Sequence, residues 1–131
     1  MSRLHPKITI TLFREEKCFG PGIAALLSAV KEHRSLRSAA ISMDMAYSKA
    51  WKILRNCEKE LNCKLLQSTI GGKHGGGAVL TAEAEALLEA YTDYCRKVRA
   101  FAEEAFGEHF RPFTDIWKAG GEEEKTADKN K

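Results

Sequence analysis

Between Leu36 and Leu61 two short apolar faces follow one another with only Asp44-Met45-Ala46 between them. The first is Leu36, Ala39, Ala40 and Met43, preceded by Ser35, a residue type that caps helix N-termini. The second is Ala50, Ile53, Leu54, Cys57 and Leu61, whose helical spacing predicts a helix from about Tyr47 to Leu61. Helices this short are marginal alone, so both faces must pack against further elements. The second helix also carries Lys49, Lys52, Arg55 and Lys59 away from its apolar stripe. Two short helices joined by a tight turn, the second with a cationic outer side, form the helix-turn-helix pattern. Ala46 stands where such a helix often has a Ser or Thr cap, which leaves Ser48 or a bound anion to cap its first turn.

The flanking segments supply the partners. Lys7 to Phe13 alternates Ile8, Ile10 and Leu12 with Lys7, Thr9 and Thr11, a half-buried strand pattern. After the break at Phe19-Gly20-Pro21-Gly22, the residues Ile23, Leu26, Leu27 and Val30 predict a helix ending near His33. Lys64 to Ile70 reads as a strand, Gly71 to Gly77 as a flexible basic loop, and Ala78 to Leu80 as the return strand. Thr81 then caps a long helix, with Glu83, Glu85 and Glu89 early and Arg96, Lys97 and Arg99 later. Its apolar residues Ala84, Leu87, Tyr91, Tyr94, Val98, Phe101 and Ala105 fall at alternating intervals of 3 and 4, a heptad seam, widened by Leu88, Cys95 and Ala102. The pattern decays after Gly107, where Phe110, Phe113, Ile116 and Trp117 suffice for a short packed segment, and disorder is expected from about Gly120.

The 131 residues leave room for one domain with a helical extension. No apolar run approaches the roughly 20 residues of a bilayer span, and the start lacks a signal-peptide h-region, so a cytoplasmic location and no membrane contact are expected. Cys18, Cys57, Cys63 and Cys95 form no CxxC pair, and His5, His33, His74 and His109 stand far from them. Free thiols are therefore expected, with no metal and no cofactor. Charge is unevenly spread. From Arg34 to Lys73 there are eight cations against three carboxylates, a net +5 within a chain of net +3. That concentrates positive charge in one stretch suited to a polyanion.

The stretch from Arg34 to Leu88 resembles the DNA-binding domain of molybdate-responsive regulators of the ModE family, and more distantly that of LysR-type regulators. The carrying residues are Ser35-Leu36-Arg37-Ser38-Ala39-Ala40, Tyr47-Ser48-Lys49-Ala50-Trp51 and the glycine loop running into Ala78-Val79-Leu80-Thr81. With the first strand and the long helix, the resemblance covers about four-fifths of the chain. It implies a mainly α fold with a small β-hairpin: a winged helix-turn-helix over 1–81, with the recognition helix at about 47–61 and the wing at about 65–80. A long dimerisation helix over 82–107 and a C-terminal segment over 108–131 would follow. Members of that family carry C-terminal oxyanion-binding domains that sense molybdate. No such sensor follows the long helix here, so a molybdate response is not expected and the effector is open.

The expected function is a transcriptional regulator that binds double-stranded DNA as a homodimer on an inverted repeat. Tyr47, Ser48, Lys49 and Lys52 would face bases in the major groove, and Arg55 a phosphate. Ser35, Arg37 and Ser38 would hold the flanking phosphate, and Lys73 and His74 on the wing would reach the backbone or the minor groove. Leu87, Tyr91, Tyr94, Val98, Phe101 and Ala105 would form the dimer interface. Trp51 lies beside the buried stripe, where packing is favoured over base stacking. No catalytic constellation is present, and GxxxxGK[ST] is absent from the glycine loop, so an enzyme is not expected. Two alternatives remain open: a winged helix that binds protein, and a redox or metal-responsive sensor that pairs its cysteines across the dimer.

Overall fold

The computed structural model describes residues 3–69 and 77–130, with side chains to Trp117. Eight elements follow in order: β1 (Leu12–Phe13), β2 (Lys17–Phe19), α1 (Pro21–His33), α2 (Leu36–Ser42), α3 (Tyr47–Leu61), β3 (Leu66–Thr69), β4 (Gly77–Leu80) and α4 (Ala82–Asn130). The architecture is mainly helical with a small antiparallel hairpin and a long last helix, as the patterning predicts. Two compact units divide it, Thr9–Cys95, and Met1–Ile8 with Arg96–Lys131.

The first unit closes around Phe19, Leu26, Leu27, Val30, Leu54, Cys57 and Leu65, all essentially inaccessible to water. Local chemistry sets the helix ends. Pro21 opens α1, where its missing N–H costs nothing. Arg34 ends α1 in the left-handed region (φ 59°), donating its N–H to the Val30 carbonyl at 2.7 Å. The Ser35 side chain caps α2 by accepting from the Ser38 N–H at 3.1 Å. Asp44 turns the chain at φ 53°, and Asn62 ends α3 at φ 54°. α3 has the predicted bounds, and its stripe buries Ala50, Leu54 and Cys57.

β3 and β4 pair antiparallel, Leu66 opposite Leu80 and Thr69 opposite Gly77. The Ala78 N–H fastens this hairpin to the end of α1 by donating to the Arg34 carbonyl at 3.0 Å, and the Thr81 N–H extends the pairing of its two arms by donating to the Leu65 carbonyl at 3.0 Å. Thr81 also joins β3 to α4, since its hydroxyl donates to the Lys64 carbonyl at 2.7 Å and accepts from the Ala84 N–H at 3.1 Å.

Three expectations are corrected. The strand expected over Lys7 to Phe13 is a ladder only at Leu12–Phe13, against Lys17–Phe19. The alternation upstream is real in burial, with Ile8 and Ile10 half-buried and Lys7 and Thr9 exposed, but side chains take the place of a partner strand. Within the first unit the Tyr91 hydroxyl donates to the Ile10 carbonyl at 2.7 Å.

The long helix does not stop at Gly107 but continues to Asn130, past Pro112. A helical glycine costs only about 1 kcal/mol relative to alanine. Aromatic pairs one turn apart span and follow it, Phe106 on Phe110 at 4.5 Å and Phe113 beside Trp117 at 6.2 Å.

The early part of the heptad seam is taken up by the first unit itself. Ala84, Tyr91 and Cys95 are buried, Leu87 packs on the same cluster, and Tyr91 meets Phe19 edge-on at 5.0 Å. In the second unit, Arg3 pairs with Glu103 at 3.3 Å and the Arg99 guanidinium donates to the Ile8 carbonyl at 3.5 Å. Among the described residues no helix is long and apolar enough to cross a membrane.

Candidate nucleic-acid interface

The N-terminal ends of α2 and α3 meet beside the hairpin and enclose a groove of about 600 Å³. Ser35, Arg37, Tyr47, Trp51 and Arg55 line its helical side, and Lys64, Ser68 and Gly77 its hairpin side. Their convergence follows from the packing. α1 and α2 share the core through Leu26, Leu27, Leu36 and Ala40, while Ala50 and Leu54 seat α3 on the same cluster.

Tyr47 and Trp51, one helical turn apart, are half-buried and packed against the core. Their rings meet edge to face at 6.2 Å. The Arg37 guanidinium lies 4.2 Å from the Tyr47 ring centre, and that of Arg55 lies 4.7 Å from the Trp51 ring centre. Contacts of this kind contribute about 0.5–1 kcal/mol each at exposed sites. Their geometric effect is to hold two flexible cations in place. Trp51 is therefore a packing residue on its inner side and the seat of Arg55 on its outer side.

Ser48, Lys49 and Lys52 are exposed on the first two turns of α3. Ala46, the N-cap residue, has no side chain able to cap the start of this helix. The amides there face outward with a partial positive charge that suits an anion. Ser38 is exposed at the start of α2, and the Ser35 hydroxyl, engaged as its cap, retains its own hydrogen to donate. Lys73 and His74 lie outside the described residues.

Lys64 and Ser68 belong to the groove but were not among the expected contacts. The signal for them is the period of two along the strand, which buries Leu65 and turns Lys64, Leu66 and Ser68 the other way. Glu58 also borders the groove, yet its carboxylate is occupied by the Leu65 N–H at 2.8 Å.

Three of the four cysteines lie in the core. Cys18 and Cys57 are buried, free cysteines that share the core of one chain. Burial pushes both thiols up, Cys57 to about 12, so the reactive thiolate is suppressed. Among the described residues no three ligating side chains cluster as a metal site would require.

Residues 24–85 match the family model of bacterial regulatory helix-turn-helix proteins of the lysR family. That stretch contains most of α1, the whole of α2 and α3, the hairpin and the first turn of α4. Over 86 residues the chain is 34% identical to the transcriptional regulator ModE of Haemophilus influenzae, covering 65% of this chain and 34% of that protein. It is 34% identical over 82 residues to the molybdenum-pterin-binding protein MopB of Rhodobacter capsulatus, covering 63% and 30%. With the DNA-binding transcriptional dual regulator ModE of Escherichia coli the identity is 29% over 89 residues, covering 67% and 34%. The chain thus spans about a third of the length of the curated relatives it matches. The match to the lysR family model falls on the helix-turn-helix and hairpin, and the relatives from Haemophilus influenzae and Escherichia coli that share this region are named as transcriptional regulators.

Proposed function

We propose that this chain binds double-stranded DNA as a homodimer on an inverted repeat and regulates transcription. The observation that carries the reading is the groove lined by Arg37, Arg55 and Lys64 beside α3, whose exposed side also carries Lys49 and Lys52, in a stretch that matches a regulatory helix-turn-helix family. In this reading α3 enters the major groove. Ser48, Lys49 and Lys52 face base edges, with Tyr47 half-buried beside them, while Arg55 meets a phosphate. Ser35, Arg37 and Ser38 at the start of α2 hold the flanking phosphate. The hairpin acts as the wing, with Lys73 and His74 following the backbone or the minor groove.

The second copy is met through α4, on the later part of the seam: Tyr94, Val98, Phe101 and Ala105. Tyr94 and Phe101 are 55% and 72% exposed, more than a solitary helix face of this apolarity favours. A twofold dimer implies half-sites about one helical turn or a small multiple apart, on the order of 34–36 Å per turn. Molybdenum appears in the names of relatives matched over only a third of their length, and the proposal includes no effector.

The test is an anisotropy titration of generic duplex at several salt concentrations, beside selection from a random duplex pool. Salt-dependent binding that enriches an inverted repeat supports the reading. No binding at low salt overturns it and turns attention to α4 as a protein-binding surface.

A further inference from the structure

Along the groove wall the order is arginine, ring, ring, arginine: Arg37 over Tyr47, Tyr47 against Trp51, Trp51 under Arg55. Lys64 and Ser68 face this wall from the hairpin side. We propose that the four residues form a clamp for the sugar-phosphate backbone of one DNA strand. Tyr47 and Trp51 act in it as positioning residues that hold Arg37 and Arg55 as two fixed phosphate-binding forks. The inference rests on the duplex-DNA reading above and states how that surface grips its ligand.

Two aromatic residues beside a basic groove could instead stack nucleobases. The geometry argues otherwise. Both rings are packed against the core on one side, and the surface they keep is shared with a guanidinium. A stacked guanidinium, by contrast, still directs its in-plane N–H donors outward. Among the described residues neither Arg37 nor Arg55 donates a hydrogen bond or joins an ion pair. The carboxylate best placed by sequence to neutralise Arg55 is Glu58, one turn on, and the Leu65 N–H holds it instead. Two planar forks thus stand on the wall of a groove facing the hairpin, neither of them in an ion pair among the described residues. Phosphate oxygens are the bidentate acceptors that match them.

The test is a double-mutant cycle on the full chain, read by anisotropy titration of a duplex across a salt series. R55Q is expected to lower the slope of log K against log salt by about 1, the loss of one phosphate contact. W51L is expected to weaken duplex binding about three- to fivefold when Arg55 is present and to cost nothing further in the R55Q background. W51F, which keeps a ring under the arginine, should bind like the wild type.

Equal cost of W51L in both backgrounds, or W51F as weak as W51L, overturns the clamp, because packing alone would produce either result. Should W51L fail to fold by circular dichroism, the same cycle with Y47L, Y47F and R37Q decides on the same criteria. A wild-type chain that binds single strands more tightly than duplex, and loses that preference in W51L, assigns the rings to base stacking and also overturns it. No duplex binding by the wild type at any salt overturns the DNA reading itself, whereas salt-dependent binding with additive losses overturns the clamp alone.

Discussion

Lys49 stands in the first turn of α3 and is exposed to water. Its replacement by alanine, a better helix former, should leave thermal stability within about 0.5 kcal/mol of the wild type. If it reads a base, Lys49→Ala should weaken the selected site by about 1–3 kcal/mol and relax preference at one base position. Repeating the pool selection with the variant checks this, and a uniform loss across all sequences would assign Lys49 to a phosphate.

Cys57 makes the opposite kind of residue-scale statement. Burial holds its thiol up at about 12 against a reference of 9.0. The folded chain keeps that proton after the unfolded chain has lost it. Stability contributed by the neutral thiol is therefore complete below pH 9 and declines as pH rises from about 9 to 12. Urea unfolding between pH 8 and 11 should show this decline, and Cys57→Ala should show a shallower one. That variant should also lose about 1–2 kcal/mol at neutral pH through the missing sulfur.

At the scale of elements, the hairpin depends on one tight position. A methyl group at Gly77 would strike the Thr69 hydroxyl opposite it and press on the Arg34 carbonyl at 3.3 Å. Gly77→Ala should destabilise the fold by about 1–3 kcal/mol, the range for overpacking, and should weaken DNA binding more than it lowers Tm, since β4 borders the groove. Thr81 is the matching hinge for α4. Thr81→Val removes both its cap to Ala84 and its bond to Lys64, and about 1–2 kcal/mol should be lost in chemical denaturation.

How far the elements were legible from the sequence follows from the range of the forces behind them. α3, the Ser35 cap and the Thr81 cap are set by contacts within a few residues, and they stand where the spacing places them. The first strand is shorter than its alternation predicts, because alternation records burial but not a partner. The Ile10 carbonyl is satisfied by Tyr91, which lies 81 residues away. The stacking of Arg37 on Tyr47 joins two helices across a turn and leaves no local periodic trace. Lys64 and Ser68 were readable from strand alternation, once Leu65 is recognised as core.

For the whole molecule, the decisive question is how α4 divides its apolar surface. Leu87 and Tyr91, expected at a dimer interface, serve the core of the first unit, so a partner copy cannot use Tyr91 without unpacking Phe19. What remains of the seam is Tyr94, Val98, Phe101 and Ala105, of which Phe101 at 72% exposure is the least committed within the chain. Within the second unit Phe110, Phe113, Ile116 and Trp117 are exposed as well. A partner helix would remove such side chains from water at about 25 cal/mol per Å², and a single buried carboxylate in their midst would oppose it. If the chain dimerises through this seam as proposed, Phe101→Asp should convert the dimer to monomer in sedimentation equilibrium without lowering the far-ultraviolet helix signal, because Phe101 is 72% exposed within its own chain. Monomeric Phe101→Asp should still bind a half-site with the salt dependence of one protomer, while losing the avidity of the inverted repeat. If Phe101→Asp sediments as a dimer, the seam is not the interface, and the twofold axis would have to run through the aromatic pairs beyond Gly107, where Phe113→Asp is the corresponding probe.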